Sequence, residues 1–345
     1  MDKLFSVIIP TLNSERTLEM CLKSIVNQSV GRENIEILII DGGSSDKTLE
    51  IAKNYGARIL YNEKKNREFA VYKGIENSIS KYLIFVDSDE VIPNNSAFEI
   101  RHKIFQENPN VKMIIHSGYI SPPNSNWINH YSNYVGDPFT LFVYNENKKF
   151  PEFISRIRRE FSKEDREDFI IIDKDKLKKE DLFVDICASL TVEKNSIFDI
   201  APNYLNDTSL FSKTFNLYVY SKYDIAMLKN QPILHYSSEN MSRYLKKLKW
   251  KTIVNVHYKD HPGTGFSNRN EFLSFKAKIK KYLFIPYSLS IIFPIAHSII
   301  LSLKNKNTTF LIHPFLSVYV SFQIIINLAK KLLGIKPKLG SYGGR

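Results

Sequence analysis

Asp87-Ser88-Asp89 sets two carboxylates two residues apart, and such a pair in a turn can share one hard divalent cation with phosphate oxygens. A metal-bridged diphosphate is its natural partner, although alone the pattern is common in surface turns. A second acidic turn, Asp41-Gly42-Gly43-Ser44-Ser45-Asp46, follows an apolar run, and its plainest reading is a strand-to-helix turn with Asp46 as N-cap. Neither turn carries GxGxxG or GxxxxGK(S/T), so dinucleotide and P-loop readings are poorly supported. Cys21 and Cys187 lie far apart with no CxxC or Cys/His neighbour, which argues against a zinc site or disulfide framework and fits a reducing, cytoplasmic setting.

The elements that must position these carboxylates alternate. Leu4–Pro10 (LFSVIIP) reads as a buried parallel strand, followed by a helix capped at Asn13 or Ser14 with Leu18, Cys21, Leu22, Ile25 and Val26 on one face. Ile35–Ile40 is a second strand, leading into a helix over about 46–55 that stops at Gly56. Ala57–Tyr61 is a weaker third strand, and a helix over about 68–78 precedes the strongest one, Tyr82–Val86, which delivers the chain into Asp87. This order predicts an α/β, doubly wound, mostly parallel sheet, in which ligands bind beyond the carboxyl ends of the strands, where both acidic turns sit. The chain has 345 residues, 43% of them hydrophobic, enough for a real core, which excludes disordered, collagen-like and disulfide-scaffold classes.

The stretches FSVIIPTLNSERTLEMCLKSIVNQ, IEILIIDGGSSDKT and YLIFVDSDE, in this order, resemble the N-terminal half of family 2 glycosyltransferases, the inverting GT-A type. The resemblance implies that Asp41 contacts the nucleotide base, that Pro10 and Asn13 border the nucleotide, and that Asp89, helped by Asp87, binds Mg²⁺ or Mn²⁺ on the diphosphate. Two positions depart from the family pattern. Gly42 stands where a second acid is frequent, and Ala70-Val71-Tyr72-Lys73-Gly74 replaces an Ala-Arg-Asn-x-Gly-like stretch, leaving Arg67 or Lys73 as candidate phosphate cations.

Tyr131–Tyr144 (YSNYVGDPFTLFVY), read as a polar loop joined to an aromatic strand-like run, resembles the Gly-Asp-Pro segment of a microbial, membrane-associated branch. In that branch an Asp at the position of Asp207 is the general base, and a His at the position of His235 closes the site near the diphosphate or metal. Read from the residues alone, Asp207 can equally be a helix N-cap, Asn206 stands where many members carry Glu, and His235 can be a core histidine. Two short strands are expected at Tyr223–Met227 and Pro232–His235. Arg156–Asp181 mixes both signs and reads as a solvated helical face or insertion, with an acceptor-covering flap as the alternative.

The formal charge is +12, and Met241–Lys281, with 11 Lys/Arg against two acids, alone supplies +9. Arg243–Lys259 has the make-up of a basic amphipathic helix that lies on anionic lipid, or of a solvated helix packed on the catalytic domain. Behind it run two uncharged stretches of 22 residues, Tyr282–Leu303 and Thr308–Ala329. As helices each would reach about 33 Å, against a hydrocarbon core of about 30 Å, so each can span a membrane. Pro286, Pro294, His297, His313 and Pro314 are costly in lipid and leave re-entrant, interfacial or buried helices as alternatives. The lysines on either side of the pair, and the direct passage from Met1-Asp2-Lys3 into a strand, place the N-terminal domain in the cytoplasm.

The expected organisation is a GT-A catalytic domain over 1–240, a basic juxtamembrane segment over 241–281, and C-terminal membrane-associated helices with a basic tail over 282–345. The expected activity is inverting transfer of a sugar from a nucleoside diphosphate donor to a lipid-linked or polyprenyl phosphate acceptor, with Mg²⁺ or Mn²⁺ as cofactor, at the cytoplasmic membrane face. No nucleic acid is expected as a partner. Two other readings remain: a membrane-anchored scaffold or nucleic-acid binder using the basic segment, and a nucleotidyltransferase, whose usual Gly-rich loop is lacking in Thr11–Arg16.

Overall fold

Strand formation follows the apolar runs closely. The structure, a computed structural model, describes residues 3–144, 149–177, 189–207, 210, 213–258 and 275–338. Its strands are β1 (Phe5–Thr11), β2 (Ile35–Asp41), β3 (Arg58–Tyr61), β4 (Tyr82–Phe85), β5 (Glu90–Val91), β6 (Val111–Ile115), β7 (Tyr119–Ile120), β8 (Ser162–Asp165), β9 (Phe169–Ile172), β10 (Leu190–Glu193), β11 (Asp224–Leu228) and β12 (Ile233–His235). Nine of them form one sheet in the order β3-β2-β1-β4-β10-β6-β11-β9-β8, and β5-β12-β7 form a second, small sheet. Within the large sheet β9 and β10 run against the other seven strands. The sheet is thus mixed and mostly parallel, with crossover helices Leu18–Val26, Thr48–Asn54 and Arg67–Asn77 between its first four strands. The register Thr11↔Asp41 aligns the carboxyl ends of β1 and β2, and Ile8↔Phe85 sets β4 beside β1, so both acidic turns leave the same edge.

Burial on both faces explains the unbroken apolar strands. Val7 and Ile9 point into a cluster with Leu18, Leu22, Ile39 and Ile84, while Ile8 faces the helix Arg67–Asn77. At that contact a Cβ on Gly74 would stand 2.4 Å from Ile8 Cγ2, so only glycine lets helix and strand approach this closely.

The described residues divide into two compact units, one drawn from Met1–Ile120, Lys149–Lys178 and Leu182–His235, the other from Ser121–Lys148 and Tyr236–Arg345. The first holds both sheets. Its helix Glu152–Phe161 buries Phe153, Ile154 and Ile157 and turns Arg158 outward to Asp165, and the hairpin β8-β9 closes the sheet edge. The expected mixed-charge face is therefore split between a helix and a hairpin, and its last residues lie outside the described ones.

The second unit is helical. Tyr131–Tyr144 is not a strand: Asn126 accepts a hydrogen bond from the Asn129 N–H to start the helix Trp127–Val135, Gly136 at φ +71° ends it, and Pro138 opens the next helix, Pro138–Tyr144. Tyr131, Tyr244, Leu248, Phe284, Leu301 and Leu316 share its core. The basic segment forms the helix Met241–His257. Tyr282–Leu303 does not make one straight helix: Ile291, at φ +61°, breaks it into Phe284–Leu289 and Ile292–Asn305, and the helix pair there bends by 96°. Thr308–Leu332 is one helix long and apolar enough to cross a membrane. His297 and His313 pack inward, where the Tyr287 hydroxyl lies 3.0 Å from each and the Tyr131 hydroxyl 2.7 Å from His313 Nδ1.

Candidate active site

Asp41 ends β2 and is 3% exposed. Its Oδ2 accepts hydrogen bonds from the N–H groups of Gly43 and Ser44, both at 2.8 Å, and its Oδ1 accepts from the hydroxyls of Thr11 (2.9 Å) and Ser44 (2.5 Å). Gly43 adopts φ +95° to present its N–H, which is why the turn needs glycine there. Asn13 completes this loop cluster: its N–H donates to Ser44 Oγ and its Oδ1 accepts from the Ser45 N–H. Pro10 lies beside Ile40 in the register, one residue before the aligned ends of β1 and β2. Asp46 accepts from the N–H and hydroxyl of Thr48, but the N-cap residue of the following helix is Lys47, one residue after the expected Asp46.

The turn after β4 is built differently. Asp87 Oδ1 accepts from Arg67 Nε at 2.7 Å, with both side chains 32% exposed. Asp89 Oδ2 stands 3.7 Å from His235 Nε2. The small sheet brings this histidine in, because β12 pairs with β5 so that His235 lies opposite Glu90, and Tyr119 packs against its ring. Glu90 is 1% exposed and accepts from the Asp87 N–H and the Ser189 hydroxyl. Burial first, and then the negative charges of Asp87 and Asp89, push its carboxyl well above the usual range. Negative charge has been concentrated here, in a turn that adjoins solvent.

A hydrogen bond of 2.8 Å between the hydroxyls of Ser14 and Ser88 joins the turn after β4 to the loop after β1, which Asn13 in turn ties to the Asp41 turn. Pro10, Asn13, Asp41, Asp87, Asp89 and His235 are therefore gathered at one sheet edge. Asp207 follows a short 3-10 turn, Tyr204–Asn206, and its backbone carbonyl accepts from the hydroxyl of Tyr72, on the helix that also carries Arg67. The helix downstream of it starts at Thr214, with Lys213 as its cap residue. Lys73 bonds Glu63 at 2.7 Å, while Arg67 is the cation that reaches the turn. Glu90, Tyr119 and Ser189 were not singled out from the sequence; a third acid directly after Asp89 is the signal that would have found the first of them.

Among the described residues no three His, Cys, Asp or Glu side chains form a complete metal cage. Asp87 and Asp89 offer a partial set of hard oxygen donors, and Mg²⁺ or Mn²⁺ bound through one or two carboxylates takes its other ligands from water and phosphate. Two part-exposed carboxylates on one turn have the donor chemistry such an ion takes.

Residues 6–151 match the model of the family described as "Glycosyl transferase family 2". This segment belongs to that family. The family 2 segment carries β1–β4 and both acidic turns. Among curated proteins, a dolichyl N-acetyl-alpha-D-glucosaminyl phosphate 3-beta-D-2,3-diacetamido-2,3-dideoxy-beta-D-glucuronosyltransferase of Methanococcus voltae is 34% identical over 116 residues, 30% of this chain and 36% of that one. A 4,4'-diaponeurosporenoate glycosyltransferase of Staphylococcus haemolyticus is 37% identical over 101 residues, 27% of this chain and 26% of the relative. The chain thus spans about a third or less of the length of these relatives. Among solved structures, S. aureus TarS 1-349 is similar over 96% of this chain and 92% of its own at 15% identity, with a TM-score of 0.48.

Proposed function

We propose that the chain is an inverting glycosyltransferase that moves a sugar from a nucleoside diphosphate donor to a lipid-linked or polyprenyl phosphate acceptor at the cytoplasmic face of a membrane. The observation that carries the reading is the pair of acidic turns at one sheet edge within the family 2 segment, both bonded to the loop after β1, one through Asn13 and the other through Ser14. The names of the two curated relatives, one acting on a dolichyl phosphate-linked sugar and one on 4,4'-diaponeurosporenoate, favour an acceptor of lipid character.

In this reading the Asp41 turn takes the nucleotide base, with Pro10 and Asn13 at its rim. Both Asp41 oxygens are already held by donors, so the base gains its contact by exchanging one of them, and the rotatable hydroxyls of Thr11 and Ser44 on Oδ1 are those that can leave. Asp87 and Asp89 would hold Mg²⁺ or Mn²⁺, which when bound neutralises charge on the departing nucleoside diphosphate. His235 closes the site over Asp89, and Arg67 fixes the Asp87 carboxylate. The acceptor oxygen attacks the anomeric carbon, the bond from that carbon to the diphosphate breaks, and the electron pair leaves with the nucleoside diphosphate. A hydroxyl acceptor gives its proton to Asp207; a phosphate acceptor is already ionised and needs no base.

Membranes bearing the full chain, given radiolabelled nucleotide sugars with Mn²⁺, test this. Transfer to an extractable lipid that is lost in Asp89→Ala is expected. No transfer from any common nucleotide sugar would end the proposal.

A further inference from the structure

The helix Thr308–Leu332 meets the length and apolarity of a membrane span, yet its neighbour in the helical unit does not permit one. The basic helix Met241–His257 runs alongside it in the same direction: the Tyr319 hydroxyl donates to the Leu245 carbonyl, Lys331 Nζ to that of Val256, and the Tyr258 hydroxyl to that of Pro337. Tyr244 and Leu248 share a core with Leu316 and Val320. Leu245 therefore lies level with the middle of the apolar helix, and the exposed Lys246 and Lys249 follow it immediately. Were Thr308–Leu332 to cross a bilayer, both ammonium groups would enter near its centre, at a cost of roughly 2.5–3.5 kcal/mol each by insertion scales.

The other apolar segment is also the wrong shape for crossing. After the 96° bend, Ile292–Asn305 has 14 residues, a rise of about 21 Å against a core of about 30 Å. Its outer face is nonetheless bare and apolar, with Ile292 and Leu303 each 74% exposed and Phe293 64% exposed. Leu311, Phe315, Phe322, Ile326 and Leu333 continue such a face along the longer helix. Exposed lysines border both, among them Lys304, Lys306 and Lys331.

We infer that the helical unit is monotopic: its helices lie in one leaflet, with the bare apolar faces among acyl chains and Lys246, Lys249 and Lys304 at the phosphates of anionic lipids. This rests on the membrane location proposed above and replaces a spanning hairpin by one-sided insertion. The pattern is that of interfacial helices, in which apolar burial and attraction to anionic headgroups act together.

Full-length protein added to preformed vesicles decides it. Flotation should show at least tenfold tighter binding to vesicles containing 30% phosphatidylglycerol than to phosphatidylcholine alone, and Lys246→Glu/Lys249→Glu should lose most of that difference. Lys304→Cys and Lys338→Cys flank the long helix, and a membrane-impermeant maleimide outside the vesicles should label both to the same extent, above the parent protein's own thiols. Protection of either cysteine until detergent is added would overturn the inference in favour of a span. Equal binding to neutral and anionic vesicles, or self-association without vesicle binding, would overturn it as well. A cooperative thermal transition of the same preparations reports folding, and nucleotide binding and sugar transfer are read separately, so failure of the catalytic reading leaves the labelling result interpretable.

Discussion

Two acidic turns leave the same sheet edge, and they differ in how their carboxylates are satisfied. Asp41 is buried and takes four donors from its own loops, so its charge is spent on holding the turn. Asp87 and Asp89 are about a third exposed, stand next to a buried third acid, and have the Arg67 guanidinium and the His235 ring as neighbours. A saturated carboxylate shapes a pocket; a crowded and partly exposed pair is available to a cation. In the function proposed above, the same residue type after the same kind of strand is given two different jobs, according to the donors around it.

Substitutions should separate these jobs. Asp89→Ala should lower sugar transfer on the order of a thousandfold while leaving the melting temperature nearly unchanged, since an ion clamp contributes several kcal/mol to the transition state. Asp41→Ala should act mainly on the fold, costing about 3 kcal/mol in denaturant unfolding because two N–H groups and two hydroxyls lose a charged acceptor. Gly74→Ala, which touches neither turn, should cost about 2 kcal/mol by overpacking against Ile8, and the nucleotide Kd of the folded fraction should change less than threefold. Ser14→Ala breaks the hydrogen bond between the loop after β1 and the turn after β4 and should cost about 1 kcal/mol, with a severalfold rise in donor KM. If Asp41→Ala proved thermally silent, or Asp89→Ala unfolded the protein, the contrast between the turns would be gone.

Three of the first four strands were legible because a parallel strand buried on both faces must be apolar along its length, as LFSVIIP, IEILII and YLIFV are, whereas β3, a half-exposed edge strand, gave a weaker signal. The edges of those runs also located Asp41 and Asp87. What could not be read there is tertiary. β10 enters antiparallel between β4 and β6, two strands from distant parts of the chain, and nothing local in Leu190–Glu193 announces its partners. The approach of Arg67 to Asp87 and the pairing of His235 opposite Glu90 depend on a helix and a small sheet whose placement no spacing encodes. Tyr131–Tyr144 misled through its aromatic content, whereas Asn126, Gly136 and Pro138 punctuate it as two helices. In the tail, uncharged length pointed to two straight helices, and the break at Ile291 and the cations beside Thr308–Leu332 are visible only in three dimensions.

The most direct measurement is the melting temperature of detergent-solubilised full chain titrated with nucleoside diphosphates, with and without Mn²⁺. A ligand at a hundred times its Kd stabilises by about 2.7 kcal/mol, so one diphosphate should raise the melting temperature clearly when Mn²⁺ is present, little without it, and not at all in Asp89→Ala. A rise of equal size in the absence of Mn²⁺ and in Asp89→Ala, or no rise with any nucleotide, would contradict a cation-held diphosphate at the turn after β4.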